Sequence, residues 1–258
     1  MLDAGSGIRA LGAHITQEHE AKRGHAELPP LPAEIIHLFL THQHFDHILG
    51  LPHFQPLRSE HSRVILRCGN ATPEQLQELV RLVLAPPFFV AMPMLANTLR
   101  VEACDAETPI DLGDGIAVTR FDARHNGGAA IFRVDDARGP AIAFAPDNEL
   151  SYASSASEVV EWRARTVQAL RDIPLLIHDA MYNDKELPSY AGWGHSSAEE
   201  ATQLALECNA QRLVLFHHHP DRTDLDIDDM VWTCRSLAKR AGSKLQIDAA
   251  YEGMTLTL

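Results

Sequence analysis

An α+β fold, with two sheets packed together and helices outside, is predicted by three features of this 258-residue chain. Hairpin-like strands come early, strand and helix alternate later, and several apolar strands end in His or Asp. No short-period repeat or low-complexity tract interrupts the order, so residues 1–258 read as one domain.

The elements follow from local chemistry. Leu2-Asp3-Ala4-Gly5-Ser6-Gly7 reads as the end of a strand and a turn. A helix follows over 8–20, then a polar loop punctuated by Gly and Pro over 22–32. Residues 35–40 form an apolar strand, 50–62 are irregular, and 63–67 form a second strand. Thr72-Pro73-Glu74 opens a helix with an N-cap and Pro at its first position; it reaches Leu84, and Pro86-Pro87 ends it. The apolar stretch Phe88, Phe89, Val90, Met92, Met94 is either core or a hydrophobic wall beside a substrate. Strands are expected near 98–103, 116–121, 130–134 and 141–145. A helix capped by Ser154 or Ser155 reaches Arg171, and a strand over 174–178 leads into a loop ending at Gly194. Ser196-Ser197-Ala198-Glu199 opens a helix with capping-box character. Strand 212–216, a His-rich loop, a helix over 228–241 and strands near 245–249 and 254–257 complete the chain.

The densest chemistry is His42-Gln43-His44-Phe45-Asp46-His47, directly after strand 35–40. Imidazole nitrogen and carboxylate oxygen are ligands of Zn²⁺ and similar divalent ions. At a strand end, residues two apart point the same way, so His42 and His44 can grip one ion. Asp46 and His47 diverge and suit a second ion, which suggests a two-metal hydrolytic centre with ions about 3.5–4 Å apart.

Composition narrows the partners. A formal net charge of −13 argues against nucleic acid, whose binding depends on Lys and Arg at phosphates. It leaves room for a small ester, because bound cations dominate the local field. The four cysteines, Cys68, Cys104, Cys208 and Cys234, form no C-x-x-C pair and read as small buried thiols. Free thiols, no bilayer-length apolar run and no signal-peptide layout point to a cytoplasmic protein without a membrane partner.

Further ligand types recur after apolar strands: His125 after Phe121, Asp147 after Ala145, and His217 after Phe216. The two oxygens of Asp147 can each bind one cation. At this point the chain resembles the metallo-β-lactamase superfamily, whose motif is H-x-H-x-D-H followed by distant His, Asp and His. Leu2 to Gly7, Trp193-Gly194-His195-Ser196-Ser197 and Leu213 to His217, with Pro220 and Arg222, are most similar to its ribonuclease Z-like and phosphodiesterase-like branch.

The resemblance implies a four-layer αβ/βα sandwich lacking the first N-terminal hairpin, since only Met1 and Leu2 precede the Asp-Ala-Gly turn. Either the true start lies upstream or the first sheet has a raw edge. It further implies that His42, His44 and His125 hold one metal and Asp46, His47 and His217 the other, with Asp147 bridging. His218 and His219 fall outside the ligand set. The metals would be two divalent ions, Zn²⁺ or else Mn²⁺ or Fe²⁺. A homodimer is implied by the same resemblance.

His195 corresponds to a histidine acting at the leaving group, with Asp179 as its acidic partner. The chemistry expected is hydrolysis of a small phosphodiester by metal-bound hydroxide, oriented by Asp46, with His195 as general acid. Hydrolysis of a lactone or β-lactam is the alternative, and a non-catalytic metal-binding module the third reading. The chain has no basic, Gly-rich arm of the kind ribonuclease Z uses to hold tRNA.

Overall fold

The computed structural model describes residues 1–23, 34–87, 89–90, 95–151 and 156–257. The loop expected over 22–32 (beyond Arg23), Phe88, Met92 and Met94, and the Ser154 or Ser155 cap lie outside them. The chain divides into two compact units, Met1–Asp105 and Ala106–Leu258.

The first unit is a parallel three-stranded sheet with helical cover. Its strands, β1 (Glu34–Leu40), β2 (Ser62–Cys68) and β3 (Leu99–Val101), pair in that order. The early strands are therefore parallel, where hairpins were expected. Two 3-10 turns, Leu51–His53 and Gln55–Arg58, fill the stretch read as irregular and give β1 the crossover length that a parallel return needs. The period of two puts Ile36, Leu38, Leu40, Val64, Leu66 and Cys68 into one buried cluster. Helices α1 (Ile8–Arg23), α2 (Phe45–Ile48) and α3 (Pro73–Val83) add Ile8, Ile48 and Leu76 to it, and α4 (Leu95–Thr98) leads into β3. Thr72 caps α3 through a full capping box with Gln75. The outer edge of β1 is not bare: the Phe39 N–H donates to Met1 O at 3.0 Å and the Asp3 N–H to Phe39 O at 2.7 Å.

The second unit holds a seven-stranded sheet. Strands β4 (Ile110–Gly113), β5 (Ile116–Ala123), β6 (Ala129–Asp136) and β7 (Gly139–Ala145) run antiparallel. β8 (Leu175–Asp179), β9 (Arg212–Phe216) and β10 (Gln246–Ala249) continue parallel to β7. Helices α5 (Ala156–Ala169), α6 (Ala198–Glu207) and α7 (Asp224–Arg240) are the crossovers that parallel pairing requires. Trp162, Leu204, Met230 and Cys234 from these helices pack with Ile131, Leu176, Leu213 and Leu215 of the sheet. All four cysteines are buried, and none of them is in a disulfide. No helix among the described residues is long and apolar enough to cross a membrane.

This topology places chemistry on one edge. β5, β7, β8 and β9 all run in the same direction, so their C-terminal ends share one edge of the sheet. His125, Asp147, Asp179 and His217 lie at those ends.

Three element boundaries differ from expectation. β4 is an extra edge strand; the Gly113-Asp114-Gly115 turn, at positive φ throughout, joins it to β5. Residues 254–257 alternate like a strand but adopt no strand conformation, because period two alone supplies no pairing partner. Helix α7 begins at Asp224, four residues before the expected start at Asp228. Its cap is Thr223: the Asp226 N–H donates to the Thr223 hydroxyl, and the Thr223 N–H donates to the Asp226 carboxylate. Asp224 and Asp226 favour the first turn of the helix dipole. Thr223→Ala should cost about 1 kcal/mol in urea unfolding; a neutral substitution would show that the first turn of α7 does not depend on this cap.

Candidate metal centre

In the first unit, the end of β1 delivers Thr41, His42, His44, Asp46 and His47 within one turn. His42 and His47 are buried, whereas His44 and Asp46 are exposed. The His42 ring centroid lies 4.4 Å from that of His44 and 4.3 Å from that of His47. One carboxylate organises this cluster. Asp3 accepts the Thr41 N–H at 2.6 Å, the Thr41 hydroxyl at 2.9–3.0 Å and His47 Nδ1–H at 2.7 Å. Thr41 gives its only hydroxyl proton to Asp3, so its oxygen accepts from His42 Nδ1 at 3.1 Å. Asp3 thereby sets the ring of His47 directly and that of His42 through Thr41. It does so from φ 58°, a left-handed conformation uncommon outside glycine. Close packing of the turn helps: a Cβ on Gly50 would fall 2.1 Å from Gly5 O.

In the second unit, Asp147 stands between two histidines. His125 Nε2 lies 3.6 Å from its Oδ2, and His217 Nε2 lies 3.5 Å from its Oδ1. These separations are long for hydrogen bonds. They match the ~3.3 Å between two ligand atoms on one tetrahedral ion with bonds near 2.0–2.1 Å. Each oxygen of Asp147 thus faces a different imidazole, as a carboxylate shared by two cations would require. His217 leaves β9 at φ 57°, which turns its ring out of the strand's alternation. His195 joins the same group: ligand atoms of Asp147, His195 and His217 all lie within 4.8 Å of one another.

His195 is held from behind. Its Nδ1–H donates to Asp179 Oδ2 at 2.7 Å, and Asp179 is fully buried. The Asn148 and Met181 N–H groups also donate to that carboxylate, at 3.2 and 3.0 Å. Burial holds the neighbouring His178 below the usual imidazole range. The Asn148 side chain donates to His178 Nε2 and the ring donates to Asp179 O, as a neutral ring allows. Burial, with Tyr190 and Asp179 nearby, pushes the Tyr182 phenol up to about 12, so it stays protonated.

A second carboxylate fixes the loop carrying His195. Glu149, 4% exposed, accepts the Gly192 N–H at 2.6 Å and the Gly194 N–H at 2.9 Å. Gly194 O in turn accepts His125 Nδ1–H at 2.7 Å. The approach is so close that a Cβ on Gly194 would fall 2.3 Å from His125 Nδ1.

These contacts test whether the residues fit a metal. In His42, His47 and His125, Nδ1 is committed to an oxygen acceptor, which leaves the lone pair on Nε2. Metal-ligating histidines share this arrangement, with a carboxylate, carbonyl or similar oxygen behind the ring. The donor set of nitrogen and carboxylate oxygen suits Zn²⁺ or a similar ion. The expected site residues sit at strand ends or in the β1 turn of their own unit, except His195, which lies in the loop before α6. Sequence reasoning missed Asp3 as an orienting group, and Glu149 and Gly194 as the clamp on His125. The polar run Asp147-Asn148-Glu149 after a buried strand was the available signal for Glu149.

Comparison with known proteins places this geometry in context. A family described as "Beta-lactamase superfamily domain" matches residues 1–218. A ribonuclease Z of Halorubrum lacusprofundi is 26% identical over 224 residues, covering 71% of this chain and 69% of that protein. The matched regions span only 20% and 27% of the ribonuclease Z proteins of Sulfurisphaera tokodaii and Gemmatimonas aurantiaca. Among solved structures, the metallo-β-lactamase fold protein YhfI from Bacillus subtilis is 19% identical, with a TM-score of 0.63 over 98% of this chain and 84% of that one. A diphosphatase from the PhnP family is 16% identical, with a TM-score of 0.62 over 100% and 79%.

Two outcomes test the site. Gly194→Ala should displace His125 and weaken binding of Zn²⁺ by roughly 10–100-fold, the range for a lost partner behind a ligand, while far-UV circular dichroism stays unchanged. Unaltered affinity in calorimetry would refute the close-approach reading. The second concerns pH. Below 6.5 the unfolded chain protonates at His178 while the folded chain does not. Stability at this residue therefore falls as pH drops below 6.5. His178→Gln should flatten the slope of unfolding free energy against pH between about 5 and 6.5 by up to one proton; an unchanged slope would contradict it.

Proposed function

The chain belongs to the β-lactamase superfamily, and from that membership and the two halves of the candidate site we propose that it is a dinuclear metal-dependent hydrolase of small phosphodiesters. Its fold is the metallo-β-lactamase fold expected from the sequence. The observation that carries the proposal is Asp147, with one oxygen toward His125 and the other toward His217.

In this reading residues 1–258 act as one domain. His42, His44 and His125 would hold one cation, Asp46, His47 and His217 the other, and Asp147 would serve both. Bound divalent cations, Zn²⁺ or else Mn²⁺ or Fe²⁺, supply a water ionised near neutral pH and neutralise charge on the phosphoryl oxygens. The rest is the chain's own work. Asp3 keeps His47 directly, and His42 through Thr41, in the Nδ1–H tautomer, with the lone pair on Nε2. Asp46, exposed at the start of α2, would orient the attacking water. Asp179 fixes the His195 ring through its Nδ1–H, which leaves Nε2 as the atom that would deliver a proton to the leaving alkoxide. Gly194 and Glu149 fix where that proton is delivered.

One structural neighbour, a diphosphatase from the PhnP family, supports a small phosphate ester. The net charge of −13 supports it as well. The ribonuclease Z relatives favour a second reading, cleavage of RNA. A lactone or β-lactam would need the same water but less help from His195, whose buried carboxylate partner suits a poor leaving group.

Hydrolysis of bis(p-nitrophenyl) phosphate, by protein stripped and then reloaded with Zn²⁺ or Mn²⁺, should be metal-dependent. A precursor tRNA supplied in parallel should turn over poorly; the reverse preference would move the reading to RNA. His195→Ala should retain metal and lose roughly 10²–10⁴-fold on esters with poor leaving groups, but far less on activated ones. Equal losses on both would remove the general-acid role. Asp147→Ala should lose both ions and activity together, and full occupancy in that variant would contradict a shared carboxylate.

A further inference from the structure

Beside His195, within the second unit, lies a cleft of about 260 Å³ that the proposed chemistry does not use. Its wall is aromatic. Tyr182 and Tyr190 stack at 4.4 Å with 6° between their planes, and Trp193 meets Tyr190 edge-on at 5.5 Å. Tyr182 is the hinge of the arrangement: its ring centroid is 6.3 Å from that of His195 and 6.3 Å from that of His219, which lines the cleft. The cleft therefore begins one ring away from the residue placed at the leaving group.

Its polar lining is specific. Arg222 is paired with the Glu186 carboxylate and donates to Met181 O, yet its Nε is buried without a hydrogen-bond partner among the described residues. His219 Nδ1 accepts the Asp221 N–H at 3.3 Å, which leaves the proton of the neutral ring on Nε2. Glu186, Asp221 and Asp226 add three carboxylates against the single guanidinium. That surplus of negative charge disfavours a second phosphate. N–H donors and carboxylate acceptors around flat aromatic rings instead complement a neutral heteroaromatic ring with an amino group. The volume lies below the ~300 Å³ at which drug-sized pockets begin, so it fits one base and not an oligonucleotide.

We propose that the cleft formed by Tyr182, Tyr190, His219 and Arg222 is a nucleoside subsite that receives the leaving group of the diester and prefers an amino-bearing base. The leaving-group role rests on the phosphodiesterase reading, whereas binding itself can be measured without turnover. Base–aromatic contacts of this kind tolerate sequence and are lost on truncation of the ring.

The test is isothermal titration calorimetry with adenosine, using both metal-stripped and metal-loaded full-length protein. Saturable binding is expected in both, with uridine weaker than adenosine. Tyr190→Ala and His219→Ala should each weaken adenosine roughly tenfold. Trp232→Ala, at a helix surface outside this cleft, should leave it unchanged. If Tyr190→Ala fails to fold, the half-exposed His219→Ala decides the matter. No saturable heat with adenosine, or unchanged affinity in the folded variants, overturns the subsite. Hydrolysis of bis(p-nitrophenyl) phosphate without adenosine binding removes the subsite alone. Adenosine binding without hydrolysis of any diester removes the phosphodiesterase reading and leaves the subsite standing.

Discussion

A carboxylate withdrawn from water must be met by donors, or it costs several kcal/mol. Three carboxylates under this constraint organise the polar strand ends of the two units. Asp3 gathers the Thr41 backbone, the Thr41 hydroxyl and the His47 ring. Asp179 gathers two backbone N–H groups and His195. Glu149 gathers the N–H groups of Gly192 and Gly194. Each carboxylate is satisfied only if its loop takes one particular shape, and in each case that shape fixes an imidazole. Buried charge is thus converted into the orientation of Nε2 lone pairs, the property a metal site needs before an ion arrives.

Much of this was legible in the sequence because ligand chemistry is local. His42 to His47 announce themselves as a cluster, and Asp147 and His217 directly follow apolar strands that any buried sheet would require. Ser196-Ser197-Ala198-Glu199 read correctly as a helix start because capping is local; the box that forms joins Ser197 to Glu200. Asp3 was hidden for the opposite reason: its partner Thr41 is 38 positions away, and only the bridge between Leu2 and Phe39 brings them together. Gly194 was quoted within a motif, but its need for no side chain depends on His125, 69 positions away. The start of α7 was misplaced because Asp224, Asp226, Asp228 and Asp229 look like a solvated loop until Thr223 is recognised as their cap.

The division of labour between strands and loops explains how one scaffold can carry this chemistry. The C-terminal ends of parallel strands point their successors to one edge, where α/β sheets gather ligands. Residues there can adopt uncommon backbone conformations, as His217 does, because the packed strands behind them over-determine the chain path. The loop from Met181 to His195 then adds what the strand ends lack: an imidazole held by Asp179, and aromatic surface from Tyr182, Tyr190 and Trp193.

The central proposal is that Asp147 serves two cations, one on the side of His125 and the other on the side of His217. Crystals of the protein soaked in Zn²⁺, measured at the zinc absorption edge, test it most directly. Two anomalous peaks are expected, one beside His125 and the other beside His217, with Asp147 touching both. A single peak, or two peaks of which Asp147 touches at most one, would contradict the carboxylate shared by two cations.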